Sequence, residues 1–404
     1  MLVLYNIGIT LYYTLVYMVS LYKNKAKLWI KGRKKQQVQQ LKSSIWFHFA
    51  SLGEFEQGRP VLEALKADYP QHKIVITFFS PSGYEARKNT PLAYAVYYLP
   101  LDRAANARKF IGTIKPVMAI FTKYEYWYHF FNELHKQHVP LYIISGIFRP
   151  GQVFFKWYGG LHRKMLKLVT WFFVQDIPSK HLLHDAGITN VTISSDTRFD
   201  RVWANAQQTK ELPQVAAFKN RQKLFIAGST WPADEKLIAE LITQHPGWKF
   251  IIAPHEIGED KINGLMSLLP NESTIRFSNI SNLTSQISCL IIDNIGMLSS
   301  LYQYADIAYI GGGFGAGIHN TLEAAAFGMP VIFGPKYDKF KEAKDLVELK
   351  AGFSINSQDE LNTVAGLLMN DEAARHTSAV IAKNYVEQNI GATDEIRKYI
   401  KERH

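Results

Sequence analysis

From Ser44 onward the chain alternates between short apolar runs and longer amphipathic stretches. The apolar runs are rich in β-branched and aromatic residues, which is typical of buried strands, and the stretches between them repeat apolar residues at helical spacing. Strands separated by helices in this way predict a parallel sheet with right-handed crossovers. Up to residue 196 we expect strands in SIWFHFAS, KIVITFFS, VYYLP, VMAIFTK, LYIISG, TWFFVQD and VTISSD.

A second series of the same kind follows a polar segment. Residues 203–223 carry no strand signal and predict a domain junction, and strands are expected beyond it in KLFIAGS, KFIIAPH, SCLIIDN, DIAYIGG and PVIFGP. A chain of 404 residues is long enough for two domains, because single cores rarely grow past about 250 to 300 residues. The pattern predicts an α/β protein with two doubly wound domains facing a cleft, where ligands bind outside the carboxyl ends of the strands.

The first 22 residues, MLVLYNIGITLYYTLVYMVSLY, carry no charge. Their length is about that needed to cross a hydrocarbon core of roughly 30 Å as a helix. No basic residue precedes the apolar run and no small-residue cleavage site is present, which argues against a removable signal peptide. Because the tyrosines, Asn6 and Thr10 make the segment only moderately apolar, three alternatives stay open: it spans a membrane, lies in the interface, or forms a buried first helix of the fold.

The net charge of +11 is concentrated behind this segment. Residues 1–53 contain eight basic residues and no acid, so the rest of the chain carries only +3. A nucleic-acid-binding protein would spread basic side chains over a folded face, so we expect no nucleic-acid partner. A basic collar behind an apolar helix instead binds an anionic membrane surface and stays on its cytoplasmic side. The eight residues are Lys23, Lys25, Lys27, Lys31, Arg33, Lys34, Lys35 and Lys42.

Residues 311–323 read GGGFGAGIHNTLE, between an apolar run and a stretch of helix formers. This order predicts a strand, a glycine loop and a helix start, an arrangement that brings backbone N–H groups to an anionic or sugar-like ligand. The alternative is a tight connection in an α/β fold. Glu323 favours the ligand, since a carboxylate there can accept hydrogen bonds from a ribose diol. Its other interpretation is a first-turn acid that interacts with the helix dipole, worth about 0.3 to 1 kcal/mol.

Three further strand ends of the second domain carry small or polar clusters, at residues 228–230, 254–256 and 294–297. Ser229 and Thr230 precede a helix and suit a phosphate. Together with the glycine loop, these clusters predict a ligand site at one edge of the second sheet.

In the first domain two acids follow predicted strands. Glu54, in ASLGEFEQGRP, begins a helix and is either a first-turn acid or a general base for an acceptor hydroxyl. Glu125, in FTKYEYW, is a second candidate, with a salt-bridged structural acid as the alternative. His255 and His319 have no Cys, Asp or His partner at zinc-ligand spacing, and HExxH, GxSxG and Walker motifs are missing, so we expect no metal and no cofactor. The single cysteine, Cys289, fits a reducing compartment.

At these residues the chain resembles the 3-deoxy-D-manno-oct-2-ulosonic acid (Kdo) transferases of Gram-negative lipid A synthesis, a GT-B glycosyltransferase family. The resemblance covers nearly the whole chain, from the apolar N-terminus and its basic collar onward. Each motif alone is loose, but their order and spacing are specific. The motifs are ASLGE, TFFSPSGYE, YLPLD, KYEYW, FVQD, DTRFDRV, GSTWPADE, APHE, IGML, GGGFGAGIHNTLEAAAFGMPVIFGP and KFKEA.

The resemblance implies an inner-membrane enzyme that transfers Kdo from CMP-Kdo to a lipid A precursor. It implies that Glu54 is the base, and that Glu125 and Arg198 steady the transition state. It also implies that these residues contact the CMP half of the donor: His255, Glu256, Gly296, Met297, Leu298, Asn320, Thr321, Leu322 and Glu323. Together with the phosphate candidates Ser229 and Thr230, they form the expected donor-binding set.

Three positions depart from the family pattern. Where many members have Pro-Arg-His, this chain has Pro254-His255-Glu256, so a cationic contact is lost or replaced by His255. Where many have Gly-Glu-Leu, it has Gly296-Met297-Leu298, which indicates a contact through backbone groups. The usual lysine is Arg198, which keeps the charge but changes its geometry.

The resulting organisation is two Rossmann-like domains of a GT-B enzyme with an N-terminal membrane-associated helix. The expected ranges are a membrane anchor and basic collar at 1–35, an acceptor domain at 36–205, a linker at 206–222, a CMP-sugar domain at 223–385, and a C-terminal helix at 386–404 whose return to the first domain is left open. Two alternatives stay open: another GT-B nucleotide-sugar transferase or epimerase, and a catalytically inactive membrane-attached binding protein.

Overall fold

The computed structural model describes residues 1–404 and divides them into two compact units. Unit 1 consists of residues 1–201 and 390–404, and unit 2 consists of residues 202–389. Each unit contains one sheet of seven strands, and all neighbouring strands are parallel. The prediction of two doubly wound parallel sheets is confirmed.

The sheet of unit 1 has the strand order β3-β2-β1-β4-β5-β6-β7, in which the chain starts at the centre and winds outward in both directions. All six residues of the central strand β1 are buried, because helices cover both faces of the sheet. Its side chains alternate between the two faces, so Trp46 packs into one core and Phe47 into the other. The strands are β1 Ser44–Phe49, β2 Lys73–Phe78, β3 Ala95–Tyr98, β4 Pro116–Thr122, β5 Leu141–Gly146, β6 Trp171–Val174 and β7 Val191–Ile193.

Eight helices belong to the N-terminal part of unit 1, and a ninth carries the chain from unit 1 into unit 2. They are α1 Leu2–Val19, α2 Asn24–Lys35, α3 Leu52–Asp68, α4 Pro81–Arg87, α5 Ala104–Ile114, α6 Tyr128–Lys136, α7 Gly160–Lys167, α8 Ile177–Asp185 and α9 Thr197–Gln207.

The sheet of unit 2 has the order β10-β11-β9-β8-β12-β13-β14. The five predicted strands are its centre. The sequence pattern missed the two edge strands, β10 and β14, because each has only three residues and little hydrophobic signal. The strands are β8 Leu224–Thr230, β9 Lys249–Pro254, β10 Thr274–Arg276, β11 Cys289–Ile291, β12 Ile307–Ile310, β13 Val331–Phe333 and β14 Gly352–Ser354.

The helices of unit 2 begin inside the segment 206–222, which the polar pattern predicts to be a linker. This segment contains α10, whose Val215 and Phe218 are buried. The remaining helices cover the two faces of the sheet, and the last helix of the chain belongs to unit 1. They are α10 Pro213–Lys219, α11 Pro232–Gln244, α12 Glu259–Met266, α13 Leu298–Leu301, α14 Leu322–Ala326, α15 Lys341–Glu348, α16 Gln358–Asn370, α17 Glu372–Glu387 and, in unit 1, α18 Ala392–Lys401.

Helix α1 is the one helix long and apolar enough to cross a bilayer, and none of its residues is fully buried. It nevertheless contacts unit 1 along its length. The Tyr5 hydroxyl donates to Asp102 at 2.5 Å, and His129 Nε2 is 2.7 Å from Asn6 Oδ1. Near its other end the Tyr13 ring lies 6.3 Å from that of Trp29. The residues of α1 and the following turn that are partly buried recur at helical spacing and form one face: Tyr5, Ile9, Tyr13, Val16 and Ser20.

Candidate active site

Glu54 lies in the first turn of α3, just beyond the carboxyl end of β1. Ser51 is the N-cap residue and the helix begins at Leu52, so the predicted turn before Glu54 is itself the helix start. The Ala50 N–H donates to Glu54 Oε2 at 2.5 Å. The strand end and the helix start therefore hold this carboxylate at the sheet edge where ligands of parallel sheets bind.

The surroundings of Glu54 favour its neutral form. Burial is the larger cause and the negative charge of Glu125 the second, and they raise the pKa of Glu54 to about 7 although the Ala50 N–H and Lys123 act in the opposite direction. A carboxylate with a pKa near neutral can accept a proton at physiological pH and is a better base than an ordinary glutamate.

Glu125 lies on the loop between β4 and α6 and is held from two sides. Its Oε2 accepts hydrogen bonds from His48 Nε2 at 3.1 Å and from Trp127 Nε1 at 3.0 Å. His48 is fully buried in β1. Sequence reasoning missed His48; its place six residues before Glu54, on the strand that leads to it, was the available signal.

Arg198 follows β7, at the start of α9, and is bound to a buried acid. Its Nε and Nη2 both lie 2.9 Å from Asp196 Oδ2, while Gln57 Nε2 donates to Asp196 Oδ1 at 2.7 Å. Burial would by itself raise the pKa of Asp196, but the charges of Arg198 and Lys123 and the hydrogen bonds from Arg198 lower it. Asp196 is thus ionised and orients the guanidinium, a role that the sequence did not reveal.

Tyr124 connects these groups electrostatically. Burial is the main reason that its pKa is raised, and the charges of Arg149, Glu54 and Arg198 also act on its phenol. The three predicted catalytic residues of unit 1, Glu54, Glu125 and Arg198, therefore lie beyond strands β1, β4 and β7 and are linked by electrostatic interactions.

Several residues at these strand ends have a left-handed backbone. In unit 1, φ is 58° at Lys123 and 65° at Ser195, and in unit 2 it is 54° at Ser229. A non-glycine residue in this region costs about 1 to 3 kcal/mol and persists only where the surrounding structure imposes it. These three residues lie at the carboxyl ends of strands, near the candidate residues.

In unit 2, three rings stack beyond β8, β9 and β12. The centroids of Trp231 and His255 are 4.7 Å apart, and those of His255 and His319 are 4.5 Å apart. Trp231 Nε1 donates to His319 Nε2 at 3.2 Å, so that nitrogen is unprotonated. Burial, followed by the charge of His255, lowers the pKa of His319. Of the three rings, the sequence indicated only His255 as a ligand contact.

A cavity of about 250 Å³ lies beside this stack and brings two of the predicted residues together. Thr230 and Glu256 are among its lining residues, with Trp231 and Lys261. Thr230 is buried and its hydroxyl donates to Glu235 at 3.2 Å, whereas Glu256 is exposed and lies 3.5 Å from Lys261.

The glycine loop leads into the five-residue helix α14. Asn320 Oδ1 accepts from the Leu322 N–H at 3.2 Å, and Asn320 Nδ2 donates to Glu323 Oε1 at 3.1 Å. Thr321 and Leu322 are fully buried, and the hydroxyl oxygen of Thr321 has no hydrogen-bond partner in the protein. Burial and then the charge of Glu323 raise the pKa of Tyr302.

Two glycines of the loop are required by packing. A Cβ atom at Gly311 would lie 2.3 Å from the carbonyl oxygen of Ser229, and one at Gly313 would lie 2.5 Å from the Cα of Gly334. The close backbone approach explains these positions without a ligand, as the tight-connection alternative proposed.

The IGML segment lies between β11 and α13. Gly296 has a φ of 93° and is exposed, and Met297 is the N-cap residue of α13. The Leu298 side chain packs against Gly228 of β8, where an added Cβ would come within 3.0 Å of it. The structure thus leaves mainly the backbone near Gly296 for ligand contact and assigns Leu298 to packing.

Comparison with known proteins places these residues in context. Residues 23–201 match the family described as 3-Deoxy-D-manno-octulosonic-acid transferase (kdotransferase). The 3-deoxy-D-manno-octulosonic acid transferase of Haemophilus influenzae is 26% identical over 377 residues, which cover 88% of this chain and 86% of the relative. That of Aquifex aeolicus is 27% identical over 338 residues, covering 81% of this chain and 87% of the relative.

Solved structures share the fold. The UDP-GlcNAc 2-epimerase from Neisseria meningitidis bound to UDP-GlcNAc has a TM-score of 0.63 and 14% identity, covering 89% of this chain and 100% of that chain. MurG from Acinetobacter baumannii has a TM-score of 0.53 and 12% identity, covering 89% and 99%. At these identities the similarity concerns the fold alone, which is GT-B-like, as the sequence predicts.

Proposed function

This chain belongs to the family of 3-deoxy-D-manno-octulosonic acid (Kdo) transferases and is a glycosyltransferase, and on that premise we propose that it transfers Kdo from CMP-Kdo to a lipid A precursor. Kdo transfer of this kind belongs to lipopolysaccharide synthesis. The proposed reaction inverts the configuration at the anomeric carbon, with Glu54 as the general base.

In the proposed step the acceptor hydroxyl oxygen forms a bond to the anomeric carbon of Kdo, while the bond from that carbon to the phosphate oxygen of CMP breaks. The electron pair of the broken bond leaves with CMP, and the hydroxyl proton passes to Glu54. Positive charge develops on the sugar ring and negative charge on the leaving phosphate. The proposed roles of Glu125 and Arg198 are to stabilise these charges, because fixed charges in a partly buried site need little reorganisation.

The observation that carries this proposal is the environment of Glu54. An ordinary first-turn acid is solvated and keeps a low pKa, whereas this one is half-buried beside a second carboxylate and has a pKa of about 7. The helix dipole alone does not require such an environment. Carboxyl groups whose pKa is raised toward 7 by burial and by a neighbouring negative charge are typical of acid–base catalysis.

For the donor, we propose that unit 2 holds CMP at the carboxyl ends of β8, β9 and β12. Glu323 would accept hydrogen bonds from the ribose diol, and its orientation by Asn320 supports this role. His255, on the exposed side of the ring stack, would replace the cationic contact that this chain lacks. Ser229, Thr230 and the backbone at Gly296 would complete the phosphate and base contacts.

For the membrane, we propose that α1 lies in the interface of the inner membrane, on its cytoplasmic face. An 18-residue helix is about 27 Å long, and α1 contacts unit 1 near both of its ends. A helix held in this way could cross the bilayer only by drawing charged groups such as Asp102 and Arg103 into hydrocarbon, which is costly. Its outward face is apolar and exposed: Val3, Leu4, Ile7, Leu11, Leu15 and Met18.

The basic collar supports the same orientation with one correction. The sequence predicts that Arg33 binds headgroups, but its guanidinium donates to the carbonyls of Leu99 and Phe79 at 2.8 Å and lies 3.7 Å above the Trp29 ring. Arg33 therefore holds α2 against the rest of unit 1. The exposed lysines of the collar are available for anionic lipid: Lys23, Lys25, Lys27, Lys31, Lys34 and Lys35.

The decisive experiment is a transfer assay with purified protein, CMP-Kdo and a lipid A precursor, with the added Kdo residues counted by mass. Parallel binding measurements with CMP, UDP and GDP test the donor class. We expect transfer and a preference for CMP. Preference for UDP would favour another nucleotide-sugar transferase or an epimerase, and CMP binding without transfer would favour an inactive binding protein.

A further inference from the structure

The fully buried histidine in the centre of the first sheet points at the loop that carries Glu125. His48 lies on β1, and neighbouring groups engage both of its ring nitrogens. Nε2 is 3.1 Å from Glu125 Oε2, and Nδ1 is 2.8 Å from the hydroxyl oxygen of Thr77 on β2. The proposed reaction gives this histidine no role, and a solvated glutamate would not need it.

The hydrogen-bond pattern determines which nitrogen of His48 carries the proton. Trp46 Nε1, which can only donate, lies 2.8 Å from Thr77 Oγ1, so this oxygen accepts and its own hydrogen is left for another partner. Nδ1 of His48 lies at 2.8 Å, and the competing carbonyl of Phe47 lies at 3.4 Å. Nδ1 also lies 3.2 Å from the Thr77 carbonyl oxygen, so it is held between two oxygens of Thr77. Glu125 Oε2, which also accepts from Trp127, acts as an acceptor, so the Nε2 of His48 that faces it carries a proton.

The result is a chain of hydrogen-bonded, buried groups that connects Trp46 through Thr77 and His48 to Glu125. Trp46, Thr77 and His48 are all fully buried on the adjacent strands β1 and β2. Glu125 belongs to a loop, and Trp127, which also donates to it, is on that loop as well. Of these two donors, only His48 belongs to the sheet.

We propose that His48 is a positioning residue for transfer: the Trp46–Thr77–His48 chain fixes the imidazole with its proton on Nε2 and thereby holds the Glu125 carboxylate in place beside Glu54. This inference rests on the proposed role of Glu125. A site on a loop is placed accurately only when its support is itself fixed, and a displacement of about 1 Å at a reacting centre can lower the rate by about 10²-fold.

Two substitutions of His48 separate positioning from packing. The amide nitrogen of glutamine can take the place of Nε2, so His48→Gln keeps a donor for Glu125, whereas the shorter His48→Asn reaches only toward Thr77. We expect His48→Gln to retain kcat within about threefold and His48→Asn to lose about 10- to 100-fold, with the KM for CMP-Kdo unchanged in both. Equal losses in the two variants, at equal melting temperatures, would overturn the proposal.

The chain offers a matched control for the Thr77 hydroxyl. Trp171 Nε1 donates to the Thr192 hydroxyl at 3.0 Å across strands β6 and β7 of the same sheet, but no histidine follows. Both Thr77→Val and Thr192→Val remove a hydroxyl that a tryptophan uses. We expect only Thr77→Val to lower kcat, by about tenfold, and only Thr77→Val to change the tautomer of His48 in ¹⁵N NMR spectra, with the His48 signals assigned by their loss in His48→Gln.

Glu125→Gln distinguishes the two levels of the proposal. If Glu125→Gln transfers Kdo at the parent rate, the proposed role of Glu125 is wrong and this inference is wrong with it. If Glu125→Gln is impaired while His48→Asn and Thr77→Val are fully active, only the positioning chain is overturned. Wild-type His48 with its proton on Nδ1 would also contradict it.

Discussion

At the scale of single residues, the two carboxylates of unit 1 differ in their partners. Glu125 accepts hydrogen bonds from His48 and Trp127. Glu54 accepts one from the Ala50 N–H, while burial and Glu125 disfavour its charge. A carboxyl group whose surroundings raise its pKa is the usual arrangement when it must exchange a proton.

We predict that Glu54→Gln lowers transfer by about 10² to 10⁴-fold, the usual effect of losing a general base, and leaves the CMP dissociation constant unchanged. The control is Glu63→Gln on the same helix, which should be fully active because Glu63 is partly exposed and pairs with Arg59. Rates are compared in detergent with saturating donor. Near-parent transfer by Glu54→Gln would show that another group accepts the proton.

The same substitution should stabilise the fold at high pH. The pKa of Glu54 in the folded protein is raised to about 7. Above that pH the ionised Glu54 therefore disfavours folding, compared with a neutral side chain. The penalty disappears when the pH falls below the pKa of Glu54 in the unfolded chain. We predict that Glu54→Gln melts at a higher temperature than the parent at pH 8, and that the difference shrinks toward pH 4.

The pH dependence of transfer should follow Glu54. Because a base must be deprotonated, kcat/KM should rise with pH through about 7. Removing the charge of Glu125 removes the second cause of the raised pKa, so the residual activity of Glu125→Gln should rise at lower pH than in the parent. A rise at the same pH in both proteins would mean that Glu125 does not act on the titrating group.

Glu323→Ala should weaken CMP binding. A charge-assisted hydrogen bond contributes about 1.5 to 3 kcal/mol, which corresponds to roughly a 10- to 150-fold higher dissociation constant in calorimetry. Glu372→Ala is the control, since Glu372 is an exposed acid in the first turn of α17 in the same unit. Identical CMP affinities in the two variants would reduce Glu323 to an ordinary first-turn acid.

At the scale of elements, α1 has two faces with different tasks. Its inner face binds Asp102, which also accepts the N–H groups of His129 and Phe130 at 3.1 Å and so caps α6. The loop that holds Glu125 ends at α6.

The outer face of α1 is apolar. Trp157 is 91% exposed, on a turn that is held by hydrogen bonds from Arg163 to the carbonyls of Phe154 and Lys156. Met1 lies against Gly160, close to this turn.

Orientation of α1 can be tested with a protease-cleavable tag ahead of Met1. Protein added to the outside of preformed anionic vesicles should have its tag removed by external protease, because both ends of a helix in the interface stay on one side. A tag that is protected in intact vesicles and cleaved after detergent addition would mean that α1 spans the bilayer.

Membrane binding itself should depend on the outer face and on Trp157. We predict that Leu4→Ser/Leu11→Ser/Leu15→Ser and Trp157→Ser reduce binding to anionic vesicles, and reduce transfer in vesicles more than in detergent. Deleting residues 1–35 is a poorer test, since Trp29 and Ile30 are buried. Leu367→Ser, at an exposed leucine of unit 2, is the control. Equal vesicle binding by all variants would place the membrane contact elsewhere.

At the scale of the whole molecule, the chain ends in the unit in which it began. Ile396 and Ile400 of α18 are buried in the core of unit 1. Asp200 accepts the N–H groups of Gly391 and Thr393 at the start of this helix. Unit 1 is therefore complete only after the last residues have been synthesised.

The ion pair between Asp68 and Arg397 of α18 makes the stability of unit 1 depend on pH. Arg397 donates to Asp68 at 2.5 and 2.6 Å, and that interaction is the main reason that the pKa of Asp68 is lowered to about 2. The stabilisation is present above the unfolded pKa and is lost as the pH falls through the folded value. We predict that Asp68→Asn is about 1 kcal/mol less stable than the parent at pH 7, a value reduced for solvent screening, and equally stable near pH 2. A constant difference in stability across this range would exclude the ion pair as its source.

The sequence by itself determined the two parallel sheets, because central strands covered on both faces must be continuously apolar and the helices between them must be amphipathic. It also marked Glu54, Glu125 and Glu323 as candidates, since strand ends show the change from apolar to polar residues, and the family resemblance added Arg198. Tertiary structure decided what those side chains touch. In the sequence His48 is one polar residue in a strand, and only the structure shows its contacts with β2 and with the Glu125 loop. In the same way, Arg33 is one of several basic residues in the sequence, and only the structure shows the aromatic rings and carbonyls around it. Edge strands β10 and β14 likewise exist through pairing with a neighbour. Periodicity is a local property that the chain encodes directly, whereas a hydrogen-bond partner is set by residues far apart in sequence that only the folded sheet brings together.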